Sequence, residues 1–591
     1  MSIFGPYDDS NAIGEVRGVD TSQVYVRVTS AEKLLHAKVG RLVVVQGEDA
    51  NEWLLGMINR VWREPSSASV EEATADDFPL EENAVQLVLV GTYRALQGDR
   101  KDYFTRAVLS LPDINRSVYP VEGRALESLM GLIARSGSQV TGPPLEIGTY
   151  SLDRKAKAYL DADRLFQRHA ALLGSTGSGK SWAVATILEQ AAELANPNII
   201  LFDLHGEYVD VPYAKQLRIA GPGDLANPSD SVLFLPLWLL NYEEMQSVLV
   251  DYSEQSAPNQ ATAVFESIME AKERFLTECG QQDMLDKFTV DSPIPFRLEA
   301  FIGAIDSKNR EVIDTGDVYK QGDQKGQPKT RQGPLHDKLT RMLIRLRNKT
   351  NDRRYGFMFR APSEWQQYDT LDSLTSILMG SGNGESQRGF GIRVIDFSEV
   401  PSDVLPVMVS LVARLVFNIQ FWLDSGANNS GRHPILLVCD EAHLYLPGSG
   451  QGVNATERLA LESFERIAKE GRKYGVGLLV VSQRPSDVST TILSQCNNII
   501  SLRLTTDRDI SAVKNLVPDT LGGLLDVLPG LEVGEALAVG DSVLLPLRIL
   551  MNRPTYPPKS ATMDFWTRWG EAGAHTNLRQ AVESFRRQSR K

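Results

Sequence analysis

The chain has 591 residues, with 62 Lys/Arg against 75 Asp/Glu, a net charge of −13 and 42% hydrophobic residues; at roughly 150 residues per domain it has room for about four domain-sized units. These values exclude collagen, a coiled-coil rod, bulk disorder and a histone-like polycation, so any nucleic-acid contact must come from local basic patches on a surface that on average repels phosphate. The three cysteines, Cys279, Cys439 and Cys496, form no CxxC pair and have no partnering His cluster, which argues against a disulfide framework or a structural zinc site and for a reducing, cytoplasmic setting.

The N-terminal segment has no basic stretch followed by an apolar one, and the longest apolar candidate, 407–423, is broken by Arg414, Asn418 and Gln420. Neither secretion nor a membrane span is therefore expected. From 13 to 109, short β-branched runs (VYVRV at 24–28, RLVVVQ at 41–46, WLLGMI at 53–58, VQLVLVGTY at 85–93) predict a small all-β barrel or sandwich within 1–150. Segment 64–82, with seven acidic and no basic residues, reads as an exposed loop or hinge.

From 170 the pattern changes to apolar strands separated by helices: AALLG, a helix over 180–194, NIILFDLHGEY at 198–208, IRVIDFS at 392–398, PILLVCD at 434–440, VGLLVVS at 476–482 and IISLRL at 499–504. Runs apolar on both faces imply a helix-covered parallel sheet, hence an α/β core in two parts, 151–240 and 391–530. Residues 241–390 between them are helical in pattern, with a polar stretch at 307–333, and are expected to form a helical insertion subdomain. Over 531–591 the pattern predicts a β-hairpin at 532–551 followed by a helical, basic tail.

The strongest chemical signal is Gly174-Ser175-Thr176-Gly177-Ser178-Gly179-Lys180-Ser181, a complete G-x-x-x-x-G-K-S between a strand and a helix. Its glycines let backbone N–H groups turn onto the phosphates of ATP, Lys180 reaches the β- and γ-phosphates, and Ser181 is a ligand for Mg²⁺. The strand ILLVC ends in Asp440 and Glu441, which suit the Mg²⁺ shell and the general base for the attacking water respectively. Gln483, in Ser482-Gln483-Arg484-Pro485 at the end of the next strand, is placed to sense the γ-phosphate, with Arg484 in support. Glu207, close after Asp203 in FDLHGEY, either tunes the metal and DNA coupling or forms a polar turn with His205.

Asn454 with Glu457 makes a capping-box start for a helix that Gly471 would stop, so Arg472 emerges from a fixed helix end as a candidate finger for a neighbouring subunit's γ-phosphate. Arg466 and Arg503 are rivals for that role. Residues 301–360 carry fourteen Lys/Arg against seven Asp/Glu, and Lys338, Arg341, Arg345 and Lys349 recur at helical spacing. The resulting stripe is either a sequence-indifferent DNA contact or a solvated face that pairs with the acidic loop.

Taken together and in this order, GSTGSGKS, FDLHGEY, LLVCDEAHLYLP, RIAKEGRKYGVG and SQRPSDVSTTILSQCNN resemble the HerA family of hexameric DNA-translocating ATPases, relatives of the FtsK-type pumps. The likeness covers most of 10–555. It implies a RecA-like P-loop core with an N-terminal β-barrel, a helical insertion and a C-terminal β-extension. It also implies a homohexamer, ATP-driven movement on double-stranded DNA, and a partner nuclease, which in archaea is NurA. Bacterial relatives are often paired with sirtuin-type or nuclease effectors in phage defence. The alternative is a ring scaffold whose ATP site assembles and activates an effector with little processive motion; a pilus or secretion motor is disfavoured by the lack of a membrane anchor.

Overall fold

The structure is a computed structural model that describes the chain apart from residues 1–2, 5–6, 21–22, 29, 66–80, 96–101, 109, 137–143, 319–325, 381–390, 424–431, 449–453, 544, 561–563, 571–577 and 590–591. Two compact units are present: residues 1–194 with 477–557, and residues 195–476 with 558–591.

The first unit begins with β1 (Gly14–Val19), β2 (Gln23–Val28), β3 (Leu42–Gln46), β4 (Glu52–Pro65), β5 (Glu81–Arg94), β6 (Tyr103–Thr105) and β7 (Ser117–Pro120). They pair in the order β2-β1-β7-β3-β4-β5-β6, and β2 also pairs with β5, so six of them close into a barrel. Alternation along each strand turns Val24, Val26, Val43, Val45, Leu54, Ile58, Val85 and Leu87 into one core. Register shifts at Leu55/Gly56 and Ile58/Arg60 bend the two long strands around that core. β4 and β5 extend to Pro65 and from Glu81, and the rest of the expected acidic loop lies outside the described residues.

After the helix Gly123–Ser136 come β8 (Leu145–Tyr150), β9 (Asp153–Leu160) and β10 (Ala170–Leu173). The second unit then contributes β11 (Ile199–Asp203), β12 (Lys215–Ile219), β13 (Val232–Leu233), β14 (Val312–Val318), β15 (Pro328–Gln332), β16 (Ile392–Asp396) and β17 (Ile435–Cys439). Its parallel sheet runs β13-β12-β16-β11-β17. Every residue of β11 and β17 is buried, as the two-sided apolar runs require. The helix Leu405–Trp422 is long and apolar enough to cross a membrane by length and composition alone. Here it is mostly buried against the helix Ala455–Glu470, and its Arg414 bonds both oxygens of Glu244 at 2.8 and 2.6 Å.

The insertion is mainly helical, with helices at Tyr242–Leu249, Ala257–Glu278, Leu298–Asn309, Thr340–Asn351 and Thr370–Met379. The polar stretch 307–333 departs from that reading, because it holds the antiparallel hairpin β14–β15. Both of its strands are almost wholly exposed, so no hydrophobic periodicity marks them in the sequence.

Returning to the first unit, β18 (Val476–Ser482), β19 (Asn498–Leu502), β20 (Glu535–Gly540) and β21 (Leu547–Met551) join the earlier strands in the order β18-β10-β19-β20-β21-β8-β9. β10 is parallel to β18 and β19, and β20–β21 is the hairpin expected at 532–551. β8, within the 1–150 expected for the barrel, belongs to this sheet through its pairing with β21. At that seam Gly148 has no room for a side chain: a Cβ would sit well inside contact distance of the Leu550 carbonyl. Gly148→Ala is therefore expected to push β8 off β21 and destabilise the protein by about 1–3 kcal/mol; an unchanged thermal midpoint would contradict so tight a seam.

Candidate nucleotide site

The phosphate loop grows from β10, whose residues are all buried between two parallel neighbours. Gly174 N donates to Ser482 O at 3.3 Å and Ser175 N to Arg503 O at 2.8 Å, tying the loop base to β18 and to the exit of β19. Ser178 N closes the turn on Ser175 O at 3.1 Å, and Gly534 N clamps it from outside on Ser178 O at 3.0 Å. Gly177 and Gly179 have φ of 72° and 104°, left-handed values that favour glycine. Gly179 caps the helix Lys180–Ala192 without a side-chain bond to the first turn, so this N-terminus presents backbone N–H groups to an anion.

Lys180 is buried, with Nζ 3.3 Å from Ser175 O, and lies along the inside of the loop. Ser181 is the second helical residue and is partly exposed. Thr176 Oγ1 donates to Gln483 Oε1, so this unit brings the 174–181 loop and Gln483 together.

The second unit carries the carboxylates. Asp203 ends β11 fully buried; its Oδ1 accepts from the backbone N–H of His205, Gly206 and Glu207 at 3.2, 2.8 and 3.1 Å, and its Oδ2 from Tyr208 at 2.9 Å. It is the anchor of the turn that presents Glu207, a role that sequence reading missed although an Asp four residues before Glu is the available cue. Asp440 follows β17 and is buried, its carbonyl accepting from Tyr445 OH at 3.1 Å. Burial, and then the charges of Glu441, Glu207 and Asp203, push the Asp440 carboxyl well above its ordinary range.

Glu441 has a left-handed φ of 45°, which for a non-glycine residue is strain of the kind stored at functional sites. Its Oε2 lies 3.3 Å from His443 Nδ1. No closed group of three or more His, Cys, Asp or Glu ligands exists among the described residues. In the second unit the carboxylates of Asp440 and Glu441 are hard oxygens of the type that suits Mg²⁺, and in the first unit the Ser181 hydroxyl is of the same type.

The capping box is present, with Glu457 N to Asn454 Oδ1 at 2.8 Å and Asn454 N to Glu457 Oε2 at 3.0 Å. Gly471, however, is not the left-handed stop. Its φ is −53°, the chain continues through the 3-10 turn Gly471–Tyr474, and Gly475 takes the left-handed conformation at 73°. Gly471 is small for another reason, since a Cβ would come within 2.6 Å of Val476 O. Arg472 stands exposed on this turn. Arg466 lies 5.0 Å from the Phe417 ring centroid and 3.7 Å from Glu470, a fixed packing role that weakens it as a finger. Arg503 is half-buried, and its carbonyl supports the phosphate loop.

The residues expected to form the basic stripe differ in their surroundings. Lys338 precedes the helix Thr340–Asn351 and donates to Pro334 O at 2.8 Å, while Arg341 is exposed. Arg345 is half-buried, ion-paired with Glu254 and bonded to Gln260 at 3.0 Å. Lys349 is 3.7 Å from Asp403 and 5.3 Å from the Tyr355 ring. Arg345 and Lys349 thus have acidic partners within their own unit.

The chain matches the family model for the HerA helicase central domain over 145–416 and that for the HerA-like C-terminal domain over 427–544. The probable helicase MJ1565 of Methanocaldococcus jannaschii is 26% identical over 526 residues, 87% of this chain and 86% of that protein. The DNA double-strand break repair helicase HerA of Pyrococcus furiosus is 26% identical over 429 residues, 68% of each. Similar solved structures include VirB4 of Thermoanaerobacter pseudethanolicus (TM-score 0.36, 16% identity, 71% of this chain and 98% of that one). Another is the plasmid coupling protein TrwB with ADP and Mg²⁺ (TM-score 0.41, 14% identity, 72% and 94%).

The carboxylate cluster makes a stability prediction. Because the folded-state pKa of Asp440 is raised, its ionisation opposes folding as pH climbs from the ordinary carboxylate range through that higher value. Asp440→Asn is expected to raise the thermal midpoint of the nucleotide-free protein at neutral and alkaline pH, with the gain shrinking on acidification. A lower midpoint than wild type at alkaline pH would contradict the charge imbalance.

Proposed function

This chain belongs to the HerA family of P-loop ATPases, and from that premise we propose that it works as a cytoplasmic homohexamer that uses ATP to move along double-stranded DNA for an associated nuclease or sirtuin-type effector. DNA end processing and anti-phage defence are the settings that this chemistry serves. The observation that carries the reading is the phosphate loop: left-handed Gly177 and Gly179 and an uncapped helix start, on a chain that matches both HerA family models.

In the proposed cycle the N–H groups of 174–179 hold the phosphates and Lys180 bridges the β- and γ-oxygens. Ser181 and Asp440 are the residues that would hold Mg²⁺, which would supply charge neutralisation for the phosphates. Glu441 orients the attacking water and takes its proton as the oxygen bonds to the γ-phosphorus and the bond to ADP breaks. Gln483, hydrogen-bonded to Thr176 of the loop, reports the γ-phosphate, and Glu207, set by the Asp203 turn, tunes the acidic shell. Arg472 completes a neighbouring subunit's site. Lys338 and Arg341 touch DNA phosphates, indifferent to sequence, while Arg345 keeps its structural pairing.

Two expectations test these roles. Lys180→Ala should lose ATP binding, whereas Glu441→Gln should bind ATP normally and turn over at least about 100-fold more slowly; near-normal turnover in Glu441→Gln, measured beside equilibrium binding, would remove the base assignment. Separately, rings mixed from Arg472→Ala and Lys180→Ala subunits should recover part of the activity that each parent lacks, because some interfaces then join two intact groups. Verified mixed rings without recovery would rule against a finger acting between subunits.

A further inference from the structure

The helix that follows the phosphate loop carries an unusual face. Trp182, one residue past Ser181, is 39% exposed, although its neighbours Ala183, Val184 and Ala185 are buried in the core. The same face continues through Thr186 and Glu189, at helical spacing from Trp182, and both bind the segment that leaves β21. Thr186 Oγ1 donates to Asn552 O at 3.0 Å; Glu189 accepts from Thr555 N at 2.9 Å and Tyr556 N at 2.6 Å. Asn552 N in turn donates to Ile147 O on β8 at 2.9 Å. The segment is thereby fixed along the helix, and the exposed Arg553 places its guanidinium 5.7 Å from the Trp182 ring centroid.

The position of this pair relative to the loop gives it a ligand. In a phosphate loop the N–H groups of the first helical turn meet the α-phosphate, and the nucleoside extends from there. Trp182 is the large aromatic surface at that point, and an exposed indole with a cation over it is a surface on which a heteroaromatic ring stacks. We propose that Trp182 and Arg553 form the base clamp of the nucleotide site: the purine of ATP or GTP stacks on the Trp182 indole, and Arg553, on its flexible stem, covers the outer side. Stacking without edge-specific hydrogen bonds discriminates by ring area, so the clamp separates purine from pyrimidine nucleotides and hardly separates adenine from guanine.

This rests on the ATP reading above, and inorganic tripolyphosphate, which has the phosphates but no base, separates the two. Binding to the full-length protein is measured by calorimetry for ATP, GTP, CTP and tripolyphosphate. Trp182→Ala should weaken ATP and GTP roughly tenfold or more and leave tripolyphosphate unchanged, Trp182→Phe should restore most of the loss, and Arg553→Ala should give a smaller loss with the same selectivity. The clamp is overturned if Trp182→Ala keeps wild-type affinity for ATP, or if it loses ATP and tripolyphosphate alike, since that would mark a merely structural tryptophan. Should Trp182→Ala fail to fold, Arg553→Ala decides alone: an ATP affinity equal to wild type overturns the clamp. A wild-type protein that binds neither ATP nor tripolyphosphate would instead sink the phosphate-loop reading itself.

Discussion

A backbone that turns several N–H groups toward one point is unstable unless an anion fills that point or the surroundings hold the turn open, and much of the first unit serves that constraint. β10 supplies a stem with no freedom to tilt, because β18 and β19 bond it on both sides. Carbonyls of Ser482 and Arg503 take the N–H groups at the loop base, and Gly534 clamps the outer turn through Ser178. The C-terminal hairpin thus has a function that its distance in sequence from the loop conceals: Gly534 leads into β20, and the residues after β21 brace the helix that continues the loop.

The second unit holds the opposite charge. Burial first, and then the negative charges of Glu441, Glu207 and Asp203, make Asp440 resist ionisation. Strain at Glu441 belongs to the same account, since a left-handed backbone at a non-glycine residue persists only where packing enforces it. Buried Asp440 and Tyr445, joined through the backbone carbonyl, supply that enforcement.

What could be read from the sequence was what is local. GSTGSGKS encodes its own turn, the run ILLVC and the two acids after it encode a buried strand with a charged exit, and Asn454 with Glu457 encodes a helix start; each was found where its residues stand. What escaped depends on partners far along the chain. Arg345 looked free until Glu254 and Gln260, from the helix Ala257–Glu278 and the turn before it, came against it. β8 looked like part of the barrel because its partner β21 lies some 400 residues later. Gly471 looked like a left-handed stop, yet its smallness answers a close backbone approach by Val476, while Gly475 makes the stop. β14–β15, exposed on both faces, had no pattern to betray it.

The ion pairs on the basic stripe bear on what the motor reading requires. With Arg345 and Lys349 occupied inside their own unit, duplex contact falls to fewer charges in a chain of net −13, so binding should be weak, sequence-indifferent and strongly dependent on salt. The measurement that bears most directly on the account is steady-state ATP hydrolysis by assembled rings with and without long linear duplex DNA at low ionic strength. A DNA-translocating motor predicts turnover that rises several-fold with duplex of any sequence and returns to the basal rate as salt is raised; turnover that is the same with and without duplex, in rings shown to be intact, would contradict it and leave an ATP-controlled scaffold.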